Sequence, residues 1–323
     1  MIISIVIPTH NRSDALQETL LNLSVQRFGE PWEVIVVNNC CTDDTDEIVR
    51  KQPFPVPLRL IHEEKPGVAA ARNAGIEAAV GRYVILLDND ILVESDFIQR
   101  HYDLLLANPD CWILGQIVNL PEQNNTPFGK FRNTLYGYIP RESAGGEAYW
   151  LAGTNFSMPR SDWERLGGFD ERFSGASVED YDLAIRAWDA GIKILFRPGI
   201  VALHNDWAGS SIQDYCRRQR LYSQVEPLFW QKYGDRHIRS ELVRQNRSPD
   251  WRRDGPVLLA KKLIKTVLAT GAWQKVLFGM CGLLERLLPW PPLLYRLYRM
   301  MLAVAIYQGF REGIKVHDIK PEV

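Results

Sequence analysis

Three polar residues, Asp88, Asn89 and Asp90, directly follow an apolar run, YVILL, at 83–87. A short run with two β-branched residues is typical of a strand that is buried on both faces. Ligands of open α/β sheets bind at the carboxyl ends of the strands, and carboxylates there offer oxygen ligands to a divalent cation that carries phosphates. The same tripeptide is also a common polar turn. On these three residues alone, both interpretations stay open.

The elements that would position these carboxylates alternate between strand and helix. Apolar runs predict strands at 2–7, 33–37, 58–61 and 83–87, and the segments between them carry helix caps or helical periodicity. Such alternation predicts a mostly parallel, doubly wound sheet with right-handed crossovers. Three of these strands end in polar loops, which would meet at one edge, where a nucleotide binds in folds of this kind.

The loop after the first strand contains no GxGxxG or GxxxxGK[ST] fingerprint. The phosphates of a nucleotide therefore need a partner other than a glycine-rich loop, which favours the metal. Further strands are expected at 112–118, 150–158, 193–196 and 200–204, and a helix at 178–188. The segment 119–147 lacks periodicity and is expected to be a long functional or mobile loop.

The composition is that of a globular protein, with 46% hydrophobic and 24% charged residues among 323. Five cysteines without CxxC spacing predict a reduced, cytoplasmic protein and argue against a structural zinc site. The chain begins directly with a strand-like run, so we expect no signal peptide.

Five motifs occur in order along the chain: VIPTHNR, NNCCTDDT, GVAAARNAGIEAAVGRYVILLDND, GGFDERF and EDYDLAIRAWDAG. Each is weak alone, but the ordered set resembles glycosyltransferase family 2 and spans residues 1–235. The resemblance implies a GT-A fold, a nucleotide-sugar donor, a divalent cation (Mn²⁺ or Mg²⁺) and inversion at the anomeric carbon.

The resemblance also implies roles for single residues. Asp90 would be the direct metal ligand, His204 would complete the metal site, and Asp88 would lie near the ribose or serve as a further ligand. Asp180 matches the catalytic aspartate, the base that takes the proton of the acceptor hydroxyl. A carboxylate at the start of a helix is also an ordinary cap, so these two interpretations of Asp180 compete.

The donor and the acceptor have their own candidate residues. The resemblance assigns the nucleotide to Pro8, Thr9, Asn11, Arg12, Asn39, Arg72, Asp88 and Asn89. It places the sugar and the acceptor near Trp150, Gly168, Asp170, Glu171, Glu179 and Trp207, although the tryptophans are equally suited to the core. Asn39 departs from the family, where an acidic residue commonly meets the base. An amide oxygen also accepts an N3–H bond, so a uracil or thymine base stays acceptable. UDP is the favoured nucleotide, and the departure at Asn39 leaves dTDP and GDP open.

The C-terminal segment is basic. Residues 251–315 contain eleven Lys or Arg and three Asp or Glu, a net charge of +8, so the remainder of the chain carries −9. Two helices are expected at 256–288 and 293–314, both too interrupted by charges to span a membrane. Basic residues interleaved with leucine, tryptophan and tyrosine suit an anionic membrane surface. A helical pair that packs on the catalytic domain or on another subunit is the alternative.

The sequence thus predicts an α/β protein of GT-A type (Rossmann-like) with a C-terminal helical appendage. The expected domains are a catalytic domain at 1–235, divided into a nucleotide-binding half (1–118) and an acceptor-binding half (119–235), and a basic amphipathic region at 236–323. The predicted function is metal-dependent, inverting transfer of a sugar to a hydroxyl of a glycan or lipid-linked acceptor, at the inner face of the cell membrane. The alternative is a catalytically silent GT-A domain that acts as a scaffold. No nucleic-acid partner is expected.

Overall fold

The computed structural model describes residues 1–136, 146–173, 175, 178–206, 211–234, 240–287 and 290–319. Within these ranges, contacts divide the chain into two units. The sheet unit comprises 1–120 and 136–206, and the helical unit comprises 121–135 and 207–323. The predicted boundary lies at 235, whereas the division falls at 206, because helices between 212 and 233 pack on the long C-terminal helix.

The sheet unit contains one sheet of eight strands. They are β1 (Ile3–Thr9), β2 (Trp32–Asn39), β3 (Leu58–Glu63), β4 (Tyr83–Leu87), β5 (Ile91–Val93), β6 (Cys111–Asn119), β7 (Asn155–Pro159) and β8 (Lys193–His204). Their spatial order is β3-β2-β1-β4-β7-β6-β8-β5. Strands β1 to β4, β6 and β8 point in one direction, whereas β7 and β5 are antiparallel to their neighbours.

Helices cover both faces of this sheet. They are α1 (Ser13–Leu23), α2 (Thr45–Lys51), α3 (Val68–Ala78), α4 (Phe97–Ala107), α6 (Arg160–Leu166) and α7 (Glu179–Asp189). Alternate strand residues face two apolar cores: Ile3, Ile5 and Ile7 pack with α1 and α4, while Val6 packs with α3 and α7. The predicted doubly wound α/β sheet is confirmed.

Helix α3 packs unusually close to the sheet. A Cβ at Gly75 would lie 2.3 Å from Cγ1 of Val6 and 2.9 Å from Cγ2 of Val37. Three consecutive alanines at 69–71 are also buried on this helix. Small side chains let the helix approach the strands, and this approach brings Arg72 to the carboxyl edge of the sheet.

Two regions differ from the sequence-based expectation. The strands expected at 193–196 and 200–204 form one strand, β8, whose pairing with β6 shifts register between Gly115 and Gln116. Such a bulge absorbs Pro198 and Gly199 without ending the strand. The expected irregular segment 119–147 contains a 3-10 turn (Pro121–Asn125) and helix α5 (Pro127–Tyr136), and residues 137–145 lie outside the described part.

The helical unit contains six further helices besides α5, of which α8, α11, α12 and α13 share one apolar core with α5, while α9 and α10 contact α13. They are α8 (Ile212–Tyr222), α9 (Glu226–Tyr233), α10 (Ser240–Asn246), α11 (Pro256–Leu268), α12 (Gly271–Leu287) and α13 (Pro291–Val316). The single helix expected at 256–288 is wrong: α11 and α12 are separate and bent by 91°. Among the described helices, none taken singly has the length and apolar character to cross a membrane, and only the bent α11–α12 pair meets that test jointly.

Candidate active site

The carboxyl edge of the sheet collects polar side chains from five strands. Strands β1, β2, β4 and β8 end there at Thr9, Asn39, Leu87 and His204. Strand β7 runs in the opposite direction, so the residues before it, Gly153 and Thr154, reach the same edge. The residues that the sequence singled out at separate strand ends thus lie close together, as expected for a doubly wound sheet.

Arg72 is the centre of a carboxylate cluster. Its Nη1 donates to Glu179 Oε1 at 2.9 Å and to Asp180 Oδ1 at 2.8 Å. Its Nη2 lies 3.4 Å from Asp88 Oδ1. Burial acts to lower the pKa of Arg72, but the charges of Asp180, Glu179 and Asp88 outweigh it and raise that pKa further above its usual range. Arg72 therefore stays a cation that holds these carboxylates in place.

Asp180 does not cap helix α7. That helix begins at Glu179 after Val178, and the bonds described for Asp180 go elsewhere. Its Oδ1 accepts from Arg72, and its Oδ2 accepts from the backbone N–H of Gly153 at 2.8 Å. A carboxylate has about four lone-pair sites, so these two bonds orient Asp180 and leave room for a hydroxyl proton.

Gly153 fits against Arg72 without space for a side chain. A Cβ built there would lie 2.2 Å from the Arg72 guanidinium carbon. The backbone at this point therefore approaches both members of the Arg72–Asp180 pair. Neither Gly153 nor Thr154 was found from the sequence, because no pattern in it shows that the start of β7 faces this edge.

Asp88 is held by two groups. Thr154 Oγ1 donates to Asp88 Oδ2 at 2.7 Å, and Arg72 approaches the other oxygen. Its side chain keeps about 29% of its surface exposed, so Asp88 can still contact a ligand at the edge.

Asp90 is buried between a histidine and an arginine. Its Oδ1 lies 3.2 Å from His204 Nε2, and its Oδ2 accepts from Arg12 Nη1. Burial acts to raise the pKa of Asp90, but the charges of His204 and Arg12 outweigh it, so the pKa lies below its ordinary value. Asp206, which the sequence did not point to, lies 3.7 Å from Arg12 Nη2.

His204 experiences a strongly negative field. Burial acts to lower the pKa of His204, but the carboxylates of Asp90, Asp206 and Asp88 outweigh it and raise the pKa above its usual value. The same field attracts any cation to this place. Sequence reasoning selected Asp88, Asp90 and His204 for a metal, and the fold brings the three into one electrostatic neighbourhood.

The Asp90–His204 pair fits part of a divalent metal site. Neighbouring ligands of an octahedral cation with bonds of about 2.1 Å lie about 3 Å apart, close to the 3.2 Å between Asp90 Oδ1 and His204 Nε2. Asp90 Oδ1 is buried and accepts no hydrogen bond of good geometry within the described residues. No three His, Cys, Asp or Glu side chains in these ranges form a complete site. The pair would supply two ligands, and phosphate oxygens and water would complete the set, as is usual for Mg²⁺.

Asn89 and Thr9 hold the carboxylate loop against the first strand. Asn89 Nδ2 donates to Thr9 Oγ1 at 2.7 Å, and the Asn89 carbonyl accepts from Thr19 Oγ1 at 2.9 Å. Both side chains are buried. Their contribution in this structure is to orient Asp88 and Asp90, and a contact of either with a nucleotide stays a prediction.

The loop after β1 is tied to the loop after β2. Asn11, in the left-handed region at φ 51°, accepts from the backbone N–H of Thr42 at 2.7 Å. Pro8 pairs with Val37 inside the sheet, and Arg12 points to Asp90. Asn11 and Arg12 therefore lie at the edge, whereas Pro8 shapes the strand that leads there.

Asn39 is committed to the backbone. Its Nδ2 donates to the carbonyls of Glu63 and Lys65 at 3.0 and 2.8 Å, and its Oδ1 accepts from Gly67 N–H at 2.8 Å. These bonds fasten β2 to the loop before α3. The sequence predicts that Asn39 contacts the base of the nucleotide, and that predicted contact competes with these backbone hydrogen bonds.

A cleft of about 600 Å³ lies beside Asn39. Its walls include Asn38, Cys41, Asp46, His62 and Glu63. His62 Nε2 lies 2.9 Å from Asp46 Oδ2, and Asn38 Nδ2 donates to Asp46 Oδ1 at 2.6 Å. The cleft offers donors and acceptors suited to a nucleobase, yet Asp46 and His62 carry no motif that would have selected them from the sequence.

The acidic residues predicted for the acceptor are each engaged by other protein groups. Glu179 is buried against Arg72, and Glu171 accepts from Asn73 Nδ2 at 2.9 Å and from Lys65 Nζ at 2.6 Å. Asp170 pairs with Arg172. The hydrogen bonds of Asn73 and Lys65 lower the pKa of Glu171.

Gly168 and the two tryptophans complete that set. Gly168 adopts φ 74°, and a Cβ there would lie 2.8 Å from Asn73 Oδ1. Trp150 is partly buried against the core that α3 and α7 cover. Trp207 lies outside the described residues.

Comparison with known proteins adds a family. The profile described as Glycosyl transferase family 2 matches residues 4–167, about half of the chain. A second profile, described as N-terminal domain of galactosyltransferase, matches residues 146–205.

Among curated relatives, validoxylamine A glucosyltransferase of Streptomyces hygroscopicus is 28% identical, over 71% of this chain and 63% of its own. The putative teichuronic acid biosynthesis glycosyltransferase TuaG of Bacillus subtilis is 30% identical, over 45% of this chain and 64% of its own. The chain thus spans about three fifths of the length of these relatives.

A solved structure is similar across almost the entire chain. It is the mannosyltransferase PcManGT from Pyrobaculum calidifontis, determined in complex with GDP-Man and Mn²⁺. The TM-score is 0.65 at 21% identity, with 98% of this chain and 88% of that chain covered. This likeness concerns the fold, which is of the type that the sequence predicted.

Proposed function

Because this chain belongs to glycosyltransferase family 2, we propose that it is a metal-dependent, inverting enzyme that transfers a sugar from a nucleoside-diphosphate donor to an acceptor hydroxyl. That it is a glycosyltransferase with relatives in polysaccharide biosynthesis rests on the comparisons. The metal, the donor and the acceptor are our proposal. The observation that carries it is the meeting of Arg72, Asp88 and Asp180 with the Asp90–His204 pair at one edge of the sheet.

Asp180 would be the base. It would accept the proton of the acceptor hydroxyl as that oxygen forms a bond to the anomeric carbon, while the bond from this carbon to the diphosphate oxygen breaks. The nucleoside diphosphate leaves with the electron pair. Arg72 and Gly153 N–H would keep Asp180 oriented during this displacement, because each already bonds one of its oxygens.

Negative charge develops on the leaving diphosphate. Asp90 and His204 would hold a divalent cation there, and that cation would neutralise the charge. Mn²⁺ or Mg²⁺ suits the carboxylate ligand. Asp88, partly exposed beside Arg72, would face the ribose or the cation.

The donor would place its nucleoside beside Asn38, Asp46 and His62. A UDP-sugar is our first choice, with dTDP- and GDP-sugars as further candidates. The acceptor would be a glycan or a lipid-linked saccharide. We also propose that the enzyme works inside the cell at an anionic membrane surface, because residues 251–315 carry a net charge of +8 and all five cysteines are free thiols.

The test is turnover of donors. The full chain is incubated with UDP-, dTDP- and GDP-sugars in Mn²⁺ or Mg²⁺, and the release of nucleoside diphosphate is followed, with water as the default acceptor. We expect release from one nucleotide class that stops with chelator and resumes with metal. Binding of a donor without any turnover, with a panel of saccharide acceptors included, would instead favour the silent scaffold.

A further inference from the structure

The exposed apolar side chains of this protein are concentrated in one segment. Among the described residues, 21 large apolar side chains are more than a third exposed, and 12 of these lie between Trp251 and Leu293. Single exposed apolar residues are normal on any protein surface, whereas a contiguous group indicates an interaction site. The segment belongs entirely to the helical unit.

Helix α12 displays these residues as a stripe. Trp273, Val276, Met280, Leu283 and Leu287 follow one another at intervals of three and four residues, which places them on one helix face. All five are exposed, with Leu287 at 73%. The opposite face is buried in the helical unit through Leu277 and Cys281.

Helix α11 exposes its apolar residues and buries a charged one, which is the reverse of an ordinary surface helix. Val257, Ala260, Ile264 and Val267 repeat the same spacing and are exposed. The buried residue of this helix is Lys262, whose Nζ donates to both oxygens of Asp254 at 2.7 Å. Because α11 buries a lysine and exposes its apolar stripe, its outer face suits an apolar environment better than water.

The charges beside the two stripes have one sign. Lys261, Lys275 and Arg286 are exposed. Glu285 is the sole acidic residue between 256 and 287, and it turns inward to accept from the Tyr298 hydroxyl at 2.6 Å. The outer surface of α11 and α12 is therefore apolar and cationic.

Tryptophan completes the pattern. In the described part of the chain, Trp251, Trp273 and Trp290 are the three exposed tryptophans. Tryptophan favours the boundary between lipid headgroups and acyl chains, where its ring is apolar and its N–H stays hydrated.

We infer that α11 and α12 lie in the headgroup region of an anionic membrane leaflet, with their apolar stripes turned into the lipid and their basic residues at the phosphates. Helices with an apolar face and a basic flank bind in this way. The 91° bend between them suits two short helices lying in the plane of the leaflet rather than a straight span. By this surface the proposed enzyme would reach a membrane-borne acceptor. Membrane binding itself does not depend on the proposed function, and only its biological purpose rests on that proposal.

A second copy of the chain is a poorer partner for the same surface. Helix pairs that meet along a stripe spaced three and four residues apart commonly carry charges of both signs beside it. Here Lys275 and Arg286 would face the same cations of the other copy. An anionic leaflet turns this repulsion into attraction.

A basic cleft of about 1040 Å³ adjoins the start of α11. Its cationic lining includes Arg244, Arg247, Arg252, Arg253, Lys261 and Arg311, while Glu241, Asp250 and Asp254 also line it. Within the described residues, Arg252 and Lys261 form no ion pair within 4 Å. The cleft therefore retains uncompensated positive charge beside the apolar stripe, which suits lipid phosphates.

The test is co-sedimentation of the full chain with vesicles, without donor or acceptor. We expect binding to phosphatidylcholine vesicles that contain phosphatidylglycerol, weak binding to phosphatidylcholine alone, and loss of binding at high salt. Met280→Glu and, separately, Val276→Glu should weaken binding about tenfold or more, since each removes an apolar anchor and adds a repelled charge.

Leu106→Glu in α4 is the matched control, because Leu106 and Met280 are each 50% exposed. It should bind like the wild type, and unchanged melting temperatures establish that all variants fold. Absence of wild-type binding, or equal binding by Met280→Glu and Leu106→Glu, would overturn the inference. The inference would also be overturned if the wild type formed a dimer that does not bind vesicles and that the Met280→Glu substitution dissociates. Because no donor is present, these results are independent of whether the chain transfers a sugar.

Discussion

At the scale of single residues, the two carboxylates assigned to the chemistry, Asp90 and Asp180, are each held by only two protein groups. Asp90 contacts one histidine and one arginine, and Asp180 contacts one arginine and one backbone N–H. Each carboxylate thus has a defined orientation and spare lone pairs. This combination allows the same residue type to serve as metal ligand in one place and as base in another.

Asp90→Asn tests the metal assignment. The amide keeps the shape of the side chain but removes the charge, so we expect Mn²⁺ to bind at least about tenfold more weakly in the presence of UDP, since charge and ligand type set affinity. Titration followed by electron paramagnetic resonance of Mn²⁺ measures this without any turnover. Asp103→Asn, on the exposed side of α4, should bind Mn²⁺ like the wild type. Equal affinity in both variants would remove Asp90 from the metal site.

His101 makes the stability of the sheet unit depend on pH. It is fully buried between Ser157 Oγ at 2.8 Å and Asn155 Oδ1 at 3.1 Å, and burial lowers its pKa to about 4. The unfolded chain binds the proton near pH 6.5, so stability is complete above that pH and falls as the pH drops toward 4.

We expect a loss of about 2 kcal/mol in the free energy of unfolding between pH 7 and pH 5 from this residue. Urea denaturation at the two pH values measures it, with His101→Gln as the variant in which that part of the loss disappears. A His101 signal that titrates near pH 6.5 in the folded protein would contradict the prediction.

At the scale of elements, the direction of β7 decides the site. Because this strand is antiparallel to β4 and β6, the residues before it reach the edge where the other strands end. Gly153 and Thr154 can then contact Asp180 and Asp88. A strand inserted in the parallel direction would place those residues at the opposite edge.

Gly153→Ala tests this arrangement. The added Cβ would lie 2.2 Å from the Arg72 guanidinium carbon, so Arg72 must move and Asp180 loses its orientation. We expect nucleotide release to slow about tenfold or more, since a shift of about 1 Å in a catalytic group costs up to about 100-fold. Gly199→Ala is the control, because no atom lies within 4 Å of its added Cβ. Equal rates for both variants would show that the Arg72–Asp180 pair is not needed.

Much of the sheet could be predicted from the sequence, and the reasons are local. The runs at 2–7, 33–37 and 83–87 are apolar on both faces, which suits buried parallel strands, and polar residues mark their ends. The continuity of β8 was not predictable, since Pro198 and Gly199 normally end a strand and the bulge depends on its partner β6. The break between α11 and α12 falls at Ala269 and Thr270, directly before Gly271. Threonine and glycine are weak helix formers inside an otherwise helical pattern.

The same distinction holds at the candidate site. Asp88 and Asp90 were found because they follow an apolar run, and His204, Arg72 and Asp180 because the resemblance to the family assigns them roles. Gly153, Thr154 and Asp206 were missed, because only the folded chain brings them to the edge. The chemical roles of all these residues stay predictions.

At the scale of the whole molecule, two units carry two kinds of surface. The sheet unit gathers carboxylates with arginine and histidine at one edge, whereas the helical unit exposes apolar stripes flanked by cations. Glycosyl transfer needs the first surface. The surface of the helical unit would bring the enzyme to a membrane-borne acceptor, and the vesicle experiment tests that surface separately.

The most direct test of the proposed active site is nucleoside-diphosphate release by Asp180→Asn, measured with the donor that the wild type turns over and the metal that supports its turnover. Asp189→Asn, at the exposed end of the same helix, is the control. We expect Asp180→Asn to bind the donor with unchanged affinity but to lose at least about 100-fold in rate, since a positioned base contributes about 10² to 10⁴, while Asp189→Asn matches the wild type. Turnover by Asp180→Asn at the wild-type rate would contradict the assignment of Asp180 as the base and, with it, the proposed active site.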